Sequence, residues 1–496
     1  MPQKRTRPAI PEPSQHPHMP GMPSLTRRAA LATAAAAQAA VATRAVASTP
    51  PAVQAPPAVA APPPIPADRP LFGATLWRMP NGLRVAHVRT RGAPVVAHYL
   101  FYGVGAGDDP VGKSGLAHFL EHMMFKGSEH VADGEFSRRV AREGGQDNAF
   151  TSRDVTAYHQ TVEATRLGLV AMMEADRLRA PLYPAEGVEP ERAVILEERR
   201  QRTDSNPRAR FREAFDAAMW GRQHWRGRPI IGWPEDIRAI TRDDMLDFHR
   251  RWYAPANAVL VVAGAVEEEA LRRVVESEYG GAEGGEAIIR RRAEPPAAPL
   301  EGRLVRNDAG VREAQMVRAW IAPTLTWGRE GLATEHAHPL EVLAHLLGGG
   351  PGSRLHRALV QTGLANNAAA SYDSDALGVD SFSLYATPRG DTTPARVESA
   401  AEEQIARLLD QGVTAEEVAR SQRQLTAGAL LSLDGIGAAP RLLGGALAIG
   451  LPLDAVEHWP ARIRAVTPEA VMAAARAVFT HPSTTGWLLP EGLRAP

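Results

Sequence analysis

A short motif occurs twice in this sequence, 226 residues apart. Residues 233–241 read Trp-Pro-x-x-Ile-Arg-Ala-x-Thr, and residues 459–467 carry the same six identities. Each copy is followed by a stretch with helical periodicity and then by an aromatic residue, Tyr253 or Phe479. Similarity at one fixed offset is typical of a duplicated unit. We therefore predict that the 496-residue chain contains two homologous α+β domains.

Composition and hydrophobic pattern predict where these domains begin and end. Alternation typical of strands starts after residue 70, with a hairpin turn at Pro80-Asn81-Gly82. Residues 280–300 are rich in Gly, Pro, Ala and charged side chains, and they show no apolar periodicity. We predict an N-terminal domain at 71–282, an interdomain linker at 283–300 and a C-terminal homologous domain at 301–496.

The first seventy residues are typical of an export signal followed by a tether. Arg27 and Arg28 precede an Ala-rich apolar run at 29–42, and Ala45-Val46-Ala47 matches a signal-peptidase site. We predict a twin-arginine-like signal peptide at 1–47, a Pro/Ala-rich disordered linker at 48–70 and a periplasmic or otherwise exported protein. The alternatives are an ordinary secretory signal or a disordered Ala-rich tail. The apolar run is too short for a permanent membrane span.

Charge and cysteine content exclude several classes of function. Lys+Arg and Asp+Glu both number 56, so no overall field favours nucleic acid or an anionic membrane as a partner. The chain has no cysteine. Thiol catalysis, disulfides and cysteine-bound zinc are therefore absent, and any metal must be held by histidine and carboxylate ligands.

The strongest chemical signal is the stretch His118-Phe119-Leu120-Glu121-His122. On a helix, His118 and His122 lie one turn apart on one face, where they can share one metal ion. Zinc suits this pair because neutral imidazole is a preferred ligand and catalytic zinc keeps a position open for water. Glu121 would then act as the base that accepts a proton from that water. The alternative is that both histidines only pack or lie on the surface.

Two histidines do not complete a tetrahedral site, so a carboxylate is expected as third ligand. The best stretch is Glu-Arg-Ala-Val-Ile-Leu-Glu-Glu at 191–198, within a helix predicted from Pro190 to about Arg202. Glu191 and Glu198 are seven residues apart and share a helix face, whereas Glu197 points away.

The whole pattern resembles a known family. His-x-x-Glu-His followed 76 positions later by Glu198 is similar to the inverzincin (pitrilysin-like) zinc metallopeptidases, which include mitochondrial processing peptidase and insulin-degrading enzyme. The resemblance runs from about residue 71 to the last residue, and it is closest to short bacterial members with two homologous domains. Three flanking patterns also match: Gly144-Gly145 with Asn148-Ala149, Pro229-Ile230-Ile231-Gly232-Trp233, and Gly348-Gly349-Gly350 leading to Ser353-Arg354-Leu355.

This resemblance implies a fold and a site. Each domain would be a mostly antiparallel sheet with helices packed on one face, and the C-terminal domain would lack the zinc site. Glu191 would hold a zinc ligand in place, and the strand at Asn148-Ala149 would be an exposed edge to which substrate peptide adds. The implied Zn²⁺ ligands are His118, His122 and Glu198, and the implied general base is Glu121.

One segment of the C-terminal half departs from the family. Where an Arg and a Tyr usually grip the substrate carbonyl, this chain has Val360 and Asn366, and a valine cannot donate a hydrogen bond to an oxyanion. Our hypothesis is that the chain is the zinc-bearing subunit of a heterodimer with a homologous subunit that carries the Arg/Tyr pair. The alternative is a homodimer in which Arg354, Arg357 or Tyr372 substitutes, or whose substrates need no such clamp.

Three functions are therefore open. The leading one is a zinc-dependent endopeptidase that hydrolyses peptides or unfolded segments inside an enclosed chamber. The second is a non-catalytic assembly or scaffold subunit of a peptidase-like complex. The third is the same peptidase chemistry applied to the maturation of one dedicated peptide-derived product.

Overall fold

Two β-sheets, one in each half of the chain, form the framework of the computed structural model. The structure describes residues 69–286, 288–300 and 302–496. The predicted signal peptide at 1–47 and the predicted disordered linker up to residue 68 lie outside the described residues. Among the helices of the described part, none combines the length and the apolar character needed to cross a bilayer.

The N-terminal half contains the larger sheet. Its strands are β1 (Thr75–Arg78), β2 (Arg84–Arg89), β3 (Val95–Tyr102), β4 (Gln146–Thr151), β5 (Thr156–Glu163) and β6 (Ala258–Gly264). They are ordered β1-β2-β6-β3-β5-β4, and only β2 and β6 are parallel neighbours. The helices are α1 (Leu116–Met123), α2 (Glu135–Arg142), α3 (Leu167–Arg179), α4 (Ala185–Arg199), α5 (Pro207–Trp220), α6 (Pro234–Ala239), α7 (Arg242–Trp252) and α8 (Glu268–Tyr279).

The C-terminal half repeats this plan with a smaller sheet. Its strands are β7 (Arg303–Asp308), β8 (Gln315–Ala322), β9 (Ala365–Ser371), β10 (Asp380–Pro388) and β11 (Ser483–Pro490), ordered β7-β11-β8-β10-β9. Here β7 and β11 are the parallel pair. The helices are α9 (Ala337–Gly348), α10 (Pro394–Gln411), α11 (Ala415–Leu431), α12 (Ala438–Ala448), α13 (Leu453–Glu457), α14 (Trp459–Arg464) and α15 (Pro468–Phe479).

The two halves share the order of five strands, which confirms the predicted α+β fold with two homologous domains. The order β2-β6-β3-β5-β4 in the first sheet corresponds to β7-β11-β8-β10-β9 in the second. The repeated motif ends at equivalent helix starts. Thr241 and Thr467 are the N-caps of α7 and α15, and each side chain accepts a backbone N–H bond from the first turn of its helix.

Each sheet carries helices of its own half on one face and one helix of the other half on the opposite face. Helix α12 packs on β3 and β6, with Leu443 and Leu447 in one buried cluster with Tyr99 and Phe101. Helix α5 packs in the same way on β7 and β11. Glycine permits the close approach at α12, because a Cβ on Gly444 would lie 2.1 Å from Phe101. Through this exchange, two of the buried clusters contain apolar side chains from both halves.

The segment predicted as an interdomain linker is attached to the N-terminal half. Its described residues, 283–286 and 288–300, form no helix or strand. Arg290 and Arg292 both form ion pairs with Asp108, and Arg292 also pairs with Asp154. All four side chains are largely buried, so these contacts fix the segment against the loops before α1 and after β4. The domain boundaries themselves stay a prediction.

Two local features determine how helices α1 and α4 begin. The carboxylate of Asp109 accepts hydrogen bonds from the backbone N–H groups of Gly115 and Ala117, and so satisfies donors at the start of α1. Helix α4 begins at Ala185, so the prediction of a start at Pro190 was wrong. Its buried face already includes Val188, and packing of this turn outweighs the hydrogen bond that Pro190 cannot donate.

Candidate metal centre

Helices α1 and α4 bring two imidazoles and a carboxylate together. His118 and His122 lie on one face of α1, with ring centroids 4.8 Å apart. Their Nε2 atoms lie 3.7 and 3.5 Å from Oε2 of Glu198, which comes from α4. The predicted third ligand thus lies beside the predicted histidine pair.

The arrangement fits a zinc ion. Tetrahedral zinc with bonds of about 2.1 Å separates neighbouring ligand atoms by roughly 3.4 Å, close to the distances found here. Oε2 of Glu198 is buried and has no hydrogen-bond partner, so its lone pairs are free for a cation. Among the described residues, this is the one group of His, Cys, Asp or Glu side chains that converges closely enough for a metal.

The charges of the group also suit a cation. Burial and the neighbouring His122 lower the pKa of His118 to about 3. Burial alone would lower the pKa of His122, but Glu191 and Glu198 raise it to about 10. Against the effect of burial, contact with His122 helps lower the pKa values of both Glu191 and Glu198 to about 2. Without a metal, a proton on His122 therefore supplies the positive charge that a bound metal ion would provide.

Glu191 lies behind His122, away from Glu198. Its Oε1 is 2.7 Å from Nδ1 of His122, and its Oε2 is 2.7 Å from Nζ of Lys126. An acceptor at Nδ1 keeps a hydrogen on that nitrogen, so Nε2 is the nitrogen that can lose its proton and offer a lone pair to a metal. This is the placement that the resemblance implies for Glu191.

Arginines contact both glutamates at the end of α4, on different sides. Oε1 of Glu198 lies 2.5 Å from Nη1 of Arg202, which belongs to the π-helical turn Arg200–Asp204 that continues α4. Glu197 is exposed, pairs with Arg200 and does not belong to the group that converges on the metal position. The expected orientation of Glu197 away from the site is therefore confirmed.

Glu121 is held by a residue that sequence reasoning did not identify. Thr151 donates a hydrogen bond of 2.5 Å from Oγ1 to Oε2 of Glu121. Burial raises the pKa of Glu121, although His122 and Thr151 partly offset the effect. Thr151 ends β4, and strand alternation places it on the same face as Ala149. The alternation gives the face of the strand on which Thr151 lies, but not the helix that this face meets.

Strand β4 forms one edge of the N-terminal sheet. It pairs with β5 on one side and has no strand on its other side among the described residues. Asn148 is exposed and Ala149 is partly buried in this strand. On its open side the backbone of β4 pairs with no strand of the described part, and there the N–H of Ala149 donates to Oδ1 of the neighbouring Asn148, a bond that an added strand would replace. Thr151 connects the same strand to Glu121.

The positions that depart from the family pattern are engaged locally. Val360 packs against the C-terminal core, and Asn366 donates a hydrogen bond to Glu313. Tyr372 is buried and its hydroxyl donates to the backbone oxygen of Pro323. Arg354 is bound by Glu417 and by the backbone oxygen of Gly412.

Comparisons with known proteins give a consistent result. Residues 84–232 match the family described as insulinase (peptidase family M16), and residues 239–425 match the peptidase M16 inactive domain. An uncharacterized zinc protease of Streptomyces coelicolor is 30% identical over 407 residues, which cover 81% of this chain and 86% of that protein. One of Mycobacterium tuberculosis is 31% identical over 421 residues, covering 84% and 92%.

A solved structure shows the same fold. The crystal structure of a protease from Helicobacter pylori superposes with a TM-score of 0.75 at 23% sequence identity. The alignment covers 85% of this chain and all of that one.

Proposed function

Because the chain belongs to the insulinase (M16) family of peptidases, we propose that it is a zinc-dependent endopeptidase with Glu121 as its general base. The relatives named zinc proteases support metallopeptidase activity. One observation carries the finer proposal. A buried glutamate, held by Thr151, lies on the same helix as two histidines that converge with Glu198.

Each residue then has a defined task. Bound zinc would supply Lewis acidity, which lowers the pKa of water and polarises the scissile carbonyl. Glu121 accepts the proton of the attacking water as the water oxygen bonds to the carbonyl carbon. It then passes that proton to the amide nitrogen as the C–N bond breaks. The products are a new carboxyl group and a new amine. The raised pKa of Glu121 suits a group that must hold a proton between these two steps.

Substrate would bind as an extra strand on β4. Main-chain hydrogen bonds along Asn148 and Ala149 would bind a peptide with little dependence on its side chains. Because Thr151 on the same strand already contacts Glu121, a peptide paired with β4 passes beside the base. Unfolded segments fit this mode, since their backbone groups are free to pair.

We also propose that a homologous partner subunit supplies the Arg/Tyr pair. The positions of Val360 and Asn366 offer no such pair, and the three candidate replacements are engaged elsewhere. Tyr372 is buried and Arg354 is bound to Glu417. Arg357 has 49% of its side chain exposed and also pairs with Glu417, at 3.5 Å. The heterodimer is therefore favoured over a homodimer that clamps substrate with its own residues.

Export is proposed from the sequence at the N-terminus, with the periplasm as the destination. Lysine in place of both Arg27 and Arg28 should block a twin-arginine route and leave an ordinary secretory route intact. Fractionation of cells that express either form tests this. Normal export of the double variant would exclude the twin-arginine route.

The test of the activity is Glu121→Gln. We expect this variant to retain zinc but no longer to cleave an unstructured protein such as casein. The His118→Ala/His122→Ala double variant should lose both. If the double variant retained as much zinc as the wild type, the proposed site would be wrong.

The scaffold alternative predicts a different result. A wild-type chain that cleaves nothing, alone or with any homologous subunit that carries the Arg/Tyr pair, would support a non-catalytic role. Activity that rises when such a subunit is added supports the heterodimer, whereas unchanged activity supports a chain that acts without it.

A further inference from the structure

The two oxygens of Glu198 have different surroundings. Oε2 faces Nε2 of both His118 and His122 and has no hydrogen-bond partner. Oε1 faces the other way and lies 2.5 Å from the guanidinium of Arg202. Arg202 lies one turn beyond Glu198, so the contact runs along the helix.

We propose that Arg202 is a positioning residue that keeps Glu198 a one-oxygen zinc ligand. The proposal rests on the zinc site proposed above. A free carboxylate can offer both oxygens to a cation, whereas an ion pair between a guanidinium and one oxygen competes with that arrangement. A catalytic zinc site works with three protein ligands and an open position for water. If Glu198 used both oxygens, it would compete for that position.

Because Arg202 is charged, the proposed positioning role and a purely structural role predict different effects on zinc affinity. A guanidinium next to a ligand carboxylate repels an incoming divalent cation and draws electron density from the carboxylate. Removal of Arg202 should therefore leave zinc binding as tight as before, or make it tighter. The turnover number kcat should fall, because the second oxygen of Glu198 would compete with water for the open position on the metal. Zinc affinity and turnover then change in opposite directions.

The same helix provides a matched control. Arg200 lies two positions before Arg202 and forms an ion pair with Glu197, with N–O contacts of 2.7 and 2.5 Å. Both of these side chains are exposed, and neither belongs to the group that converges on the metal position. Arg200→Met removes the same charge and the same type of helix contact without touching the site.

The experiment compares wild type, Arg202→Met, Arg202→Lys and Arg200→Met, each with and without the partner subunit. Zinc affinity is measured by chelator competition, and kcat and KM are measured on one peptide. For Arg202→Met we expect zinc affinity between unchanged and about tenfold tighter, and kcat lower by about ten- to a hundredfold. KM should stay within about twofold of wild type. Arg202→Lys should recover part of kcat, and Arg200→Met should match wild type throughout.

Cobalt absorption supplies a readout independent of activity. Four-coordinate Co²⁺ absorbs visible light more strongly than cobalt with five or six ligands. The Co²⁺-loaded Arg202→Met protein should therefore absorb less than the wild type, and the Arg200→Met protein should not.

Three outcomes would overturn the proposal. In the first, Arg202→Met loses zinc affinity, kcat and thermal stability together, which indicates a structural role. In the second, Arg202→Met matches Arg200→Met in every readout. In the third, the wild type binds neither zinc nor cobalt, which rejects the proposed function as well. The first two outcomes leave wild-type zinc binding intact and reject the role of Arg202 alone.

Discussion

Nδ1 of His122 lies 2.7 Å from Oε1 of Glu191, and this contact determines which imidazole nitrogen is directed at Glu198. Because the pKa of Glu191 is lowered to about 2, its carboxylate is ionised at neutral pH and acts only as an acceptor. The hydrogen therefore resides on Nδ1, and Nε2 remains the nitrogen available to a metal.

Replacement of Glu191 by Gln should weaken zinc binding by about ten- to a hundredfold. The amide loses the charge that orients His122, and it also loses the ion pair with Lys126. Chelator competition measures the effect. Glu197→Gln is the matched control, because Glu197 lies on the same helix, is exposed and pairs with an arginine. Equal zinc affinities for the two variants would contradict the role of Glu191.

Zinc binding should release about one proton at pH 7.5. The pKa of His122 is raised to about 10, so it carries a proton before zinc binds. The pKa of His118 is lowered to about 3, so it is already neutral. Affinity should rise with pH up to the pKa of His122, because fewer protons then compete.

Calorimetry in two buffers of different ionisation enthalpy measures that proton release. The Glu191→Gln variant should release less, because the pKa of His122 falls without the carboxylate. Release of no proton by the wild type would show that His122 is not charged as described.

Thr151→Val should lower kcat by roughly tenfold or more, with zinc content unchanged. A hydrogen bond to a charged group contributes about 1.5–3 kcal/mol, and here it holds the base beside the metal ligands. Thr151→Ser keeps the hydroxyl and should retain most of the activity. Peptide cleavage and metal analysis on the same samples measure both quantities. If valine and serine gave the same kcat, the hydrogen bond would have no catalytic importance.

Gly444→Ala should destabilise the protein by about 1–3 kcal/mol. The added methyl would meet the ring of Phe101, 2.1 Å away, where α12 packs on the N-terminal sheet. Gly445 is the matched control, because a Cβ there meets nothing within 4 Å. Gly445→Ala should be neutral or stabilising by up to about 1 kcal/mol, since alanine favours helix. Urea unfolding measures both. A loss of stability in the Gly445 variant equal to that in the Gly444 variant would argue against close packing at Phe101.

The local parts of the fold and the site could be predicted because they depend on neighbours in sequence. The hairpin around Pro80-Asn81-Gly82 is the β1–β2 pair, with Thr75 opposite His87. The spacing of His118 and His122 needs only one helix, and Glu191 and Glu198 need only one more. The start of α4 was placed wrongly at Pro190, because packing of the preceding turn was not visible in the local pattern.

Contacts between distant segments could not be predicted in this way. Thr151 reaches Glu121 only because β4 runs beside α1, and the two residues are 30 positions apart. Tyr372 was a candidate for contact with substrate until the fold buried it and gave its hydroxyl to Pro323. Neither result follows from periodicity or residue type.

The sequence by itself determined the chemistry of the site and the duplicated plan of the chain. Histidine and glutamate side chains at helical spacing lie on one face of their helix, because every α-helix has 3.6 residues per turn. Only the tertiary structure decided what surrounds that site. It placed α12 and α5 each on the sheet of the other half, and it brought Thr151 to Glu121. Those contacts depend on burial of apolar faces between segments that are far apart in sequence. Residue spacing within one segment does not predict which of these faces pack together.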